Sequence, residues 1–300
     1  MQEVAPGLEL LDTRLGGWEG ITSAYLVRGP RPALVETGAR TSAETVIREL
    51  SDAGIGPDDL AVIALTHVHL DHCGGAGLIA GHFPRAEVVV HRRGARHLVD
   101  PERLVAASAE VYGELAWLYG GLDPIPAERV TAAEDGHRIE LGDGRALVML
   151  ETLGHARHHM SILEEGTGTV MAGDALGVMF AGAGLYQALP PPDVDLERAD
   201  ASLRRLAGLS ARRLCVGHFG PVPDPAEALA TAREQVAVVG DAALAGWRGG
   251  GDVPAVEEAV EAALPLEATV RDAAGVARWR MLRWGRNNAA GLARWAAERS

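Results

Sequence analysis

Residues 65–75, LTHVHLDHCGG, constrain this chain more than any other stretch. They follow LAVIAL (60–65), a run apolar enough to be a buried strand, and set His67, His69, Asp71 and His72 within six positions. Residues at i and i+2 of an extended loop point the same way, so His67 and His69 can grip one ion. Asp71 and His72, at the start of the helix that GGAGLIAGHF continues, turn toward a second. A carboxylate there also suits the positive end of a helix. A motif of this kind is half a metal site, and its completion must come from elsewhere in the chain.

Three further positions carry a metal-ligand side chain just after a run that reads as a strand. They are His155 in ETLGHARHH, Asp174 in VMAGDAL and His218 in CVGHFGP. In layered α/β folds, reactive residues gather where strands end and loops converge. Four strand ends thus offer seven donors to one rim. Any one of these residues alone reads best as a solvated or capping side chain; their ordered recurrence is what favours a metal site. Neutral imidazoles and carboxylates without thiolates suit zinc, and iron, manganese or cobalt accept the same donors. His82, His91, His97 and His137 keep a structural reading, while His158 and His159 are candidates for hydrogen-bonding to ligands. Cys73 and Cys215 form no C-x-x-C pattern and read as buried thiols.

Composition removes several classes. The 300 residues and 47% hydrophobic content suit a globular chain, and the net charge of −13 disfavours nucleic acid and anionic membrane surfaces. A small-molecule substrate is the expected partner. No lysine occurs anywhere, so Schiff-base chemistry and a lysine phosphate loop are absent, as is a G-x-S-x-G elbow. The longest apolar run, ALGVMFAGAGL from Ala175, is too short to cross a bilayer, and the first residues have no basic start. A cytoplasmic location is therefore expected.

Patterning gives the organisation. AYLVRGPRPALVETG from Ala24 predicts a hairpin, and TSAETVIRELSDAG a helix opened by a capping box at Thr41 and Glu44 and stopped at Gly54. AEVVVH (86–91) reads as a strand, and PERLVAASAEVYGELAWLYGG as a helical stretch from Pro101 to Gly120 and Gly121. HRIELGDGRALVMLET reads as a hairpin, SIL, TVMAG and RRLCVG as strands, and LERADASLRRLAGL as a helix. From Asp224 onward come three amphipathic helical runs, DPAEALATAREQVAVVGDAALAGW, DVPAVEEAVEAAL and TVRDAAGVARWRMLRW, separated by RGGGD and LPLEA. The expected division is a catalytic domain over 1–222 and a helical C-terminal extension over 223–300.

These motifs, in this order, resemble the metallo-β-lactamase superfamily of metal-dependent hydrolases, in its glyoxalase II and lactonase-like branch. The H-x-H-x-D-H signature is His67, His69, Asp71 and His72, and the later motifs appear as TLGH, GD and GHFGP. The resemblance covers roughly residues 20–222 and implies an α/β fold, a four-layer αββα sandwich with a helical C-terminal extension. It also implies two Zn2+ per chain, with His67, His69 and His155 on the first, Asp71, His72 and His218 on the second, and Asp174 bridging. His69 stands where diiron oxygen-reducing relatives carry a glutamate, and a bridging Asp174 looks like glyoxalase II, lactonases and phosphodiesterases rather than the β-lactamases. Glu36 in LVETG replaces the usual aspartate, Arg157 departs from the usual T-P-G-H-T-P-G-H turn, and Cys73 sits where a small residue usually follows the last histidine.

The implied activity is hydrolysis of an ester, lactone or thioester by a metal-bridging hydroxide, with Asp71 or a metal-bound water protonating the leaving group. Rival readings are a mononuclear iron dioxygenase of the persulfide type, a phosphodiesterase, and a metal-dependent binding protein without turnover. Tyr186 could donate to a substrate carbonyl, though packing is favoured, and Tyr112, Trp117 and Tyr119 read as core before lid. The arginines near Trp279 and Trp284 read as a solvated helix face. Loops 95–128 and 175–195 and the C-terminal helices are where substrate choice would lie, and those helices also offer a surface for a homodimer.

Overall fold

A computed structural model describes residues 1–179, 184–266, 273–282 and 284–300. Two sheets form its frame. The first has seven strands in chain order: β1 (Gln2–Ala5), β2 (Leu8–Asp12), β3 (Ser23–Val27), β4 (Ala33–Val35), β5 (Val62–Ala64), β6 (Glu87–His91) and β7 (Val130–Ala133). Its first four strands pair antiparallel and the pairs from β4 to β7 are parallel. The second runs β15 (Gly220–Pro221), β14 (Arg213–Val216), β11 (Thr169–Met171), β10 (Met160–Glu164), β9 (Arg145–Glu151) and β8 (His137–Gly142). Within it only β11 and β14 are parallel.

One apolar core lies between the sheets. Tyr25, Val35, Ala64 and Val89 from the first meet Leu147, Met149, Ile162 and Cys215 from the second, and all are buried. Strand β3 is buried at all five positions, as a central strand covered on both faces requires. Helix α1 (Ala43–Asp52) buries Ala43, Val46 and Leu50, the i, i+3, i+7 stripe that its sequence predicts.

The strand ends are where chemistry can gather. Strand β4 ends just before Glu36 and β5 just before the Thr66–His67 segment; β11 ends before Gly173 and Asp174, and β14 before Gly217 and His218. The short helix α2 (Leu70–Cys73) carries Asp71 and His72 in its first turn.

By backbone proximity the chain forms two compact units. One comprises Met1–Glu151, His158–Gly173 and Ala211–Pro221, and contains both sheets described above. The other comprises Thr152–Arg157, Asp174–Ser210 and Val222–Ser300. It is mostly helical: α7 (Leu196–Gly208) is capped by Asp195, and the long α8 (Pro225–Gly250) by Asp224, whose carboxylate accepts from the N–H groups of Ala226 and Glu227. Among the described residues, helices over Val253–Ala263 and Ala273–Met281 precede the C-terminal one, Trp284–Ala297. Among the described residues no helix is long and apolar enough to cross a membrane.

Several local expectations are corrected. The capping box does not form: Ser42 is the N-cap of α1 without a side-chain bond, and the Thr41 hydroxyl donates instead to the Leu118 carbonyl. The helical stretch after Pro101 breaks at Gly113, leaving Glu102–Tyr112 and Ala116–Tyr119 as separate helices. Helix α8 runs through the exposed Arg248–Gly250, where a linker was expected, and ends where Gly251, at φ 69°, donates its N–H to the Trp247 carbonyl. Strands β1, β2 and β7 and the helix over Trp284–Ala297 had no predicted counterpart. Parts of the 175–195 loop (180–183) and of the TVRDAAGVARWRMLRW run (269–272 and 283) lie outside the described residues.

Candidate metal centre

The first unit carries five of the seven predicted donors. His67 is fully buried, His72 and His218 almost so, and Asp71 opens to solvent only slightly. The ring centroids of His67 lie 4.5 Å from His69 and 4.2 Å from His72. Across from them, His72 Nε2 and His218 Nε2 lie 3.1 Å apart, and Asp71 Oδ2 is 3.6 Å from His218 Nε2 and 4.0 Å from His72 Nε2. Donors around an ion with bonds of about 2.0 to 2.2 Å stand about 3.3 to 3.6 Å apart in a tetrahedron, so this triangle fits a small divalent cation.

The imidazoles are held so that Nε2 faces inward. His72 Nδ1 donates to Glu36 Oε2 at 2.9 Å and His218 Nδ1 to the Ile21 carbonyl at 2.9 Å. His67 Nδ1 lies 2.9 Å from the Thr66 hydroxyl. Bonding one ring nitrogen selects the tautomer whose other nitrogen presents a lone pair to a metal. Glu36 does this with the longer arm that replaces the expected aspartate: it is buried, sits at φ 67°, and its Oε1 also accepts from the Thr66 N–H at 2.9 Å. One carboxylate therefore ties the end of β4 to the start of the histidine motif.

Ser23 and Tyr25 had no sequence signal. Both lie on β3 and point at the turn that carries His218: the Ser23 hydroxyl lies 3.1 Å from the carbonyls of both Val216 and Gly217, and the Tyr25 hydroxyl donates to the Val216 carbonyl at 2.6 Å. Burial, then the nearby Cys215, pushes the Tyr25 phenol well up, so it remains a donor. A Ser-x-Tyr alternation on one strand face was the only available trace, and an alternating strand shows that pattern for packing alone.

The second unit carries the other two donors. His155 Nδ1 donates to the Ala188 carbonyl at 2.7 Å, and its Nε2 lies 3.6 Å from Asp174 Oδ2. Both side chains are buried. Beside them, Arg157, the departure from the usual turn, pairs with Asp193 at 3.0 Å.

The remaining candidates divide. His158 Nδ1 accepts from the Val68 N–H at 3.4 Å, steadying the residue between His67 and His69, and buried His159 lies 5.0 Å from the His67 ring. His91 is structural: fully buried, it donates to Glu151 at 2.8 Å and accepts the Arg93 N–H at the start of a helix. Cys73 is buried, and burial, then the carboxylates of Glu36 and Asp71, hold its thiol well above the usual range. Cys215 is pushed up to about 12 by burial. Tyr186 packs: its ring lies 4.6 Å from Trp279 and its hydroxyl donates to the Leu264 carbonyl at 3.2 Å. Tyr119 is buried and stacks on Tyr112 at 3.8 Å, whereas Trp117 is 66% exposed.

Glu36→Gln keeps the shape and the Thr66 contact but removes the carboxylate that orients His72. Zinc affinity, read by competition with a chromophoric chelator, is expected to fall about 10- to 100-fold. An unchanged affinity would show that His72 needs no such partner.

Comparison with known proteins follows the same lines. A family model described as the metallo-beta-lactamase superfamily matches residues 17–218. The metallo-beta-lactamase fold-containing protein ST1585 of Sulfurisphaera tokodaii is 31% identical over 169 residues, covering 55% of this chain and 62% of that protein. A hydroxyacylglutathione hydrolase of Aeromonas hydrophila is 31% identical over 169 residues, covering 56% of this chain and 49% of that protein. The chain thus spans under two thirds of the length of either. Among solved structures, the metallo-beta-lactamase family protein TTHA1429 of Thermus thermophilus superposes with a TM-score of 0.70 at 26% identity, covering 99% of this chain and 95% of that one.

Proposed function

Because the chain belongs to the metallo-beta-lactamase superfamily, we propose that it is a dinuclear zinc hydrolase of a small acyl substrate: an ester, lactone or thioester. The observation that carries this reading is the Asp71, His72 and His218 triangle, with its two Nε2 atoms 3.1 Å apart and each ring anchored through Nδ1. In this reading His67, His69 and His155 hold one ion, Asp71, His72 and His218 the other, and Asp174 bridges. The family match over 17–218 includes all seven residues. The hydroxyacylglutathione hydrolase among the relatives supports an acyl substrate.

When bound, the ions supply a water with a pKa lowered to about 7 and a Lewis acid for the substrate oxygen. The residues do the rest. Glu36 and the Ile21 carbonyl accept the Nδ1–H groups of His72 and His218, which turns each Nε2 toward the ion. Asp71 turns Oδ2 toward both Nε2 atoms, and its Oδ1 would take the proton that the attacking water releases and pass it to the leaving group. Burial of the surrounding side chains excludes bulk water, which strengthens each of these interactions.

The test is to strip the protein with chelator, reload it with zinc, count metal per chain, and assay ester, lactone, thioester, β-lactam and phosphodiester substrates. Two zinc per chain and zinc-dependent cleavage of an acyl substrate are expected. One iron per chain with oxygen consumption on a persulfide would install the dioxygenase reading, and undiminished hydrolysis by the stripped protein would sink both.

A further inference from the structure

We propose that Asn288, on the C-terminal helix Trp284–Ala297, is the positioning residue for His155. The inference rests on His155 being a ligand, and it concerns groups within the second unit only.

His155 is aimed by a backbone carbonyl, that of Ala188, which accepts its Nδ1–H at 2.7 Å and leaves Nε2 facing Asp174. A carbonyl is a good anchor only if its peptide cannot rotate. Ala188 lies in an irregular stretch after the two-residue strand Leu185–Tyr186, outside the ladders of the described strands. Asn288 supplies the missing ladder. Its Oδ1 accepts the Leu189 N–H at 2.7 Å and its Nδ2 donates to the Gln187 carbonyl at 2.7 Å. One amide side chain thus grips the backbone on both sides of Ala188, as a neighbouring strand would, and fixes the direction of the carbonyl between them.

Two features show that the helix is built for this grip. Asparagine is a poor interior helix residue, and a buried amide costs stability unless both halves are hydrogen-bonded. Asn288 is 6% exposed, and both halves are used on this one segment. One turn on, Gly291 lets the helix touch the same stretch: a Cβ there would meet the Leu189 carbonyl at 2.1 Å. Helix α8 adds a third hold, with Gln235 Nε2 donating to the Leu185 carbonyl at 2.7 Å.

The test uses the full chain and reads metal rather than turnover. Asn288→Ala, Asn288→Asp and Gly291→Ala are compared with Trp295→Phe, which removes a bond from the same helix to Glu197 of α7 rather than to the 185–189 segment. Zinc stoichiometry, chelator competition and the visible absorption of the cobalt-substituted protein are measured. Asn288→Ala and Gly291→Ala are expected to weaken one of the two zinc sites about 10- to 100-fold and to change the cobalt spectrum, with Asn288→Asp intermediate because it keeps the acceptor. Trp295→Phe should leave both readouts as in wild type. If Asn288→Ala does not fold, Asn288→Asp decides by the same criteria. Wild-type zinc affinity and cobalt spectrum in the folded Asn288 variants overturn the proposal, as does an equal loss in Trp295→Phe, which would mark general destabilisation. A wild-type chain that binds no zinc overturns the dinuclear reading itself.

Discussion

Alanine at His218 is expected, on the proposed dinuclear zinc reading, to lower kcat/KM on an acyl substrate by about 1,000-fold or more and to remove one zinc ion of two. The triangle of His72, Asp71 and His218 loses a corner, and two donors 4.0 Å apart remain. Lewis-acid stabilisation by a bound ion is worth several kcal/mol, and at about 1.36 kcal/mol per tenfold a loss of about 4 kcal/mol is about three orders of magnitude. The Ile21 carbonyl also loses its donor, so some stability is lost with the metal. His137→Ala, outside the site on strand β8, serves as the matched control and should retain metal and activity. A His218→Ala protein holding two zinc and working within tenfold of wild type would remove the triangle from the mechanism.

What made such a candidate site readable is that metal chemistry restricts residue type, and strand ends restrict position. His67, Asp174 and His218 each stand within a few residues of a strand end, and hydrophobic runs such as LAVIAL and RRLCVG marked those ends in advance. The groups that orient the candidate ligands were of another kind. Two of them, the carbonyls of Ile21 and Ala188, are backbone, and backbone carries no letter. Others, such as Tyr25 gripping Val216 from 191 positions away, depend on which strands become neighbours, which periodicity does not state. Glu36 was visible as a substitution, but that its longer arm would span Thr66 and His72 depended on a backbone turn at φ 67°.

The fold shows the same division. Central strands read clearly because burial on both faces makes them continuously apolar, as in VIA of β5 and EVVVH of β6. The edge strands did not: QEVA of β1 and VTAA of β7 each have one buried residue. Capping failed at α1 for a tertiary reason, since the Thr41 hydroxyl found the Leu118 carbonyl of the inserted helices instead of its own helix end. Local signals hold where nothing distant competes for the same polar group.

Gly173→Ala is expected to lower the melting temperature by about 10 °C and to weaken metal binding at the same time. Two costs act together. At φ 54° an alanine pays for a left-handed backbone, about 1 to 2 kcal/mol. Its Cβ would also fall 2.7 Å from His159 Nε2 and 2.8 Å from the Thr66 hydroxyl, an overpacking cost of about 1 to 3 kcal/mol. A sum of about 3 kcal/mol, at about 2 to 4 °C per kcal/mol, gives the expected shift. The displaced Thr66 is the residue bonded to His67 Nδ1 and to Glu36, and Gly173 itself precedes Asp174, so relief of the clash moves groups that the metal reading depends on. Gly144→Ala isolates the backbone cost, because its φ is 75° and a Cβ there meets nothing within 4 Å. Thermal melts of the two variants with and without zinc should therefore separate: Gly144→Ala loses the smaller amount and keeps its zinc-induced stabilisation, while Gly173→Ala loses more and is stabilised less by zinc. Equal shifts would mean that the glycine before Asp174 serves the turn alone and not the close approach of Thr66 and His159.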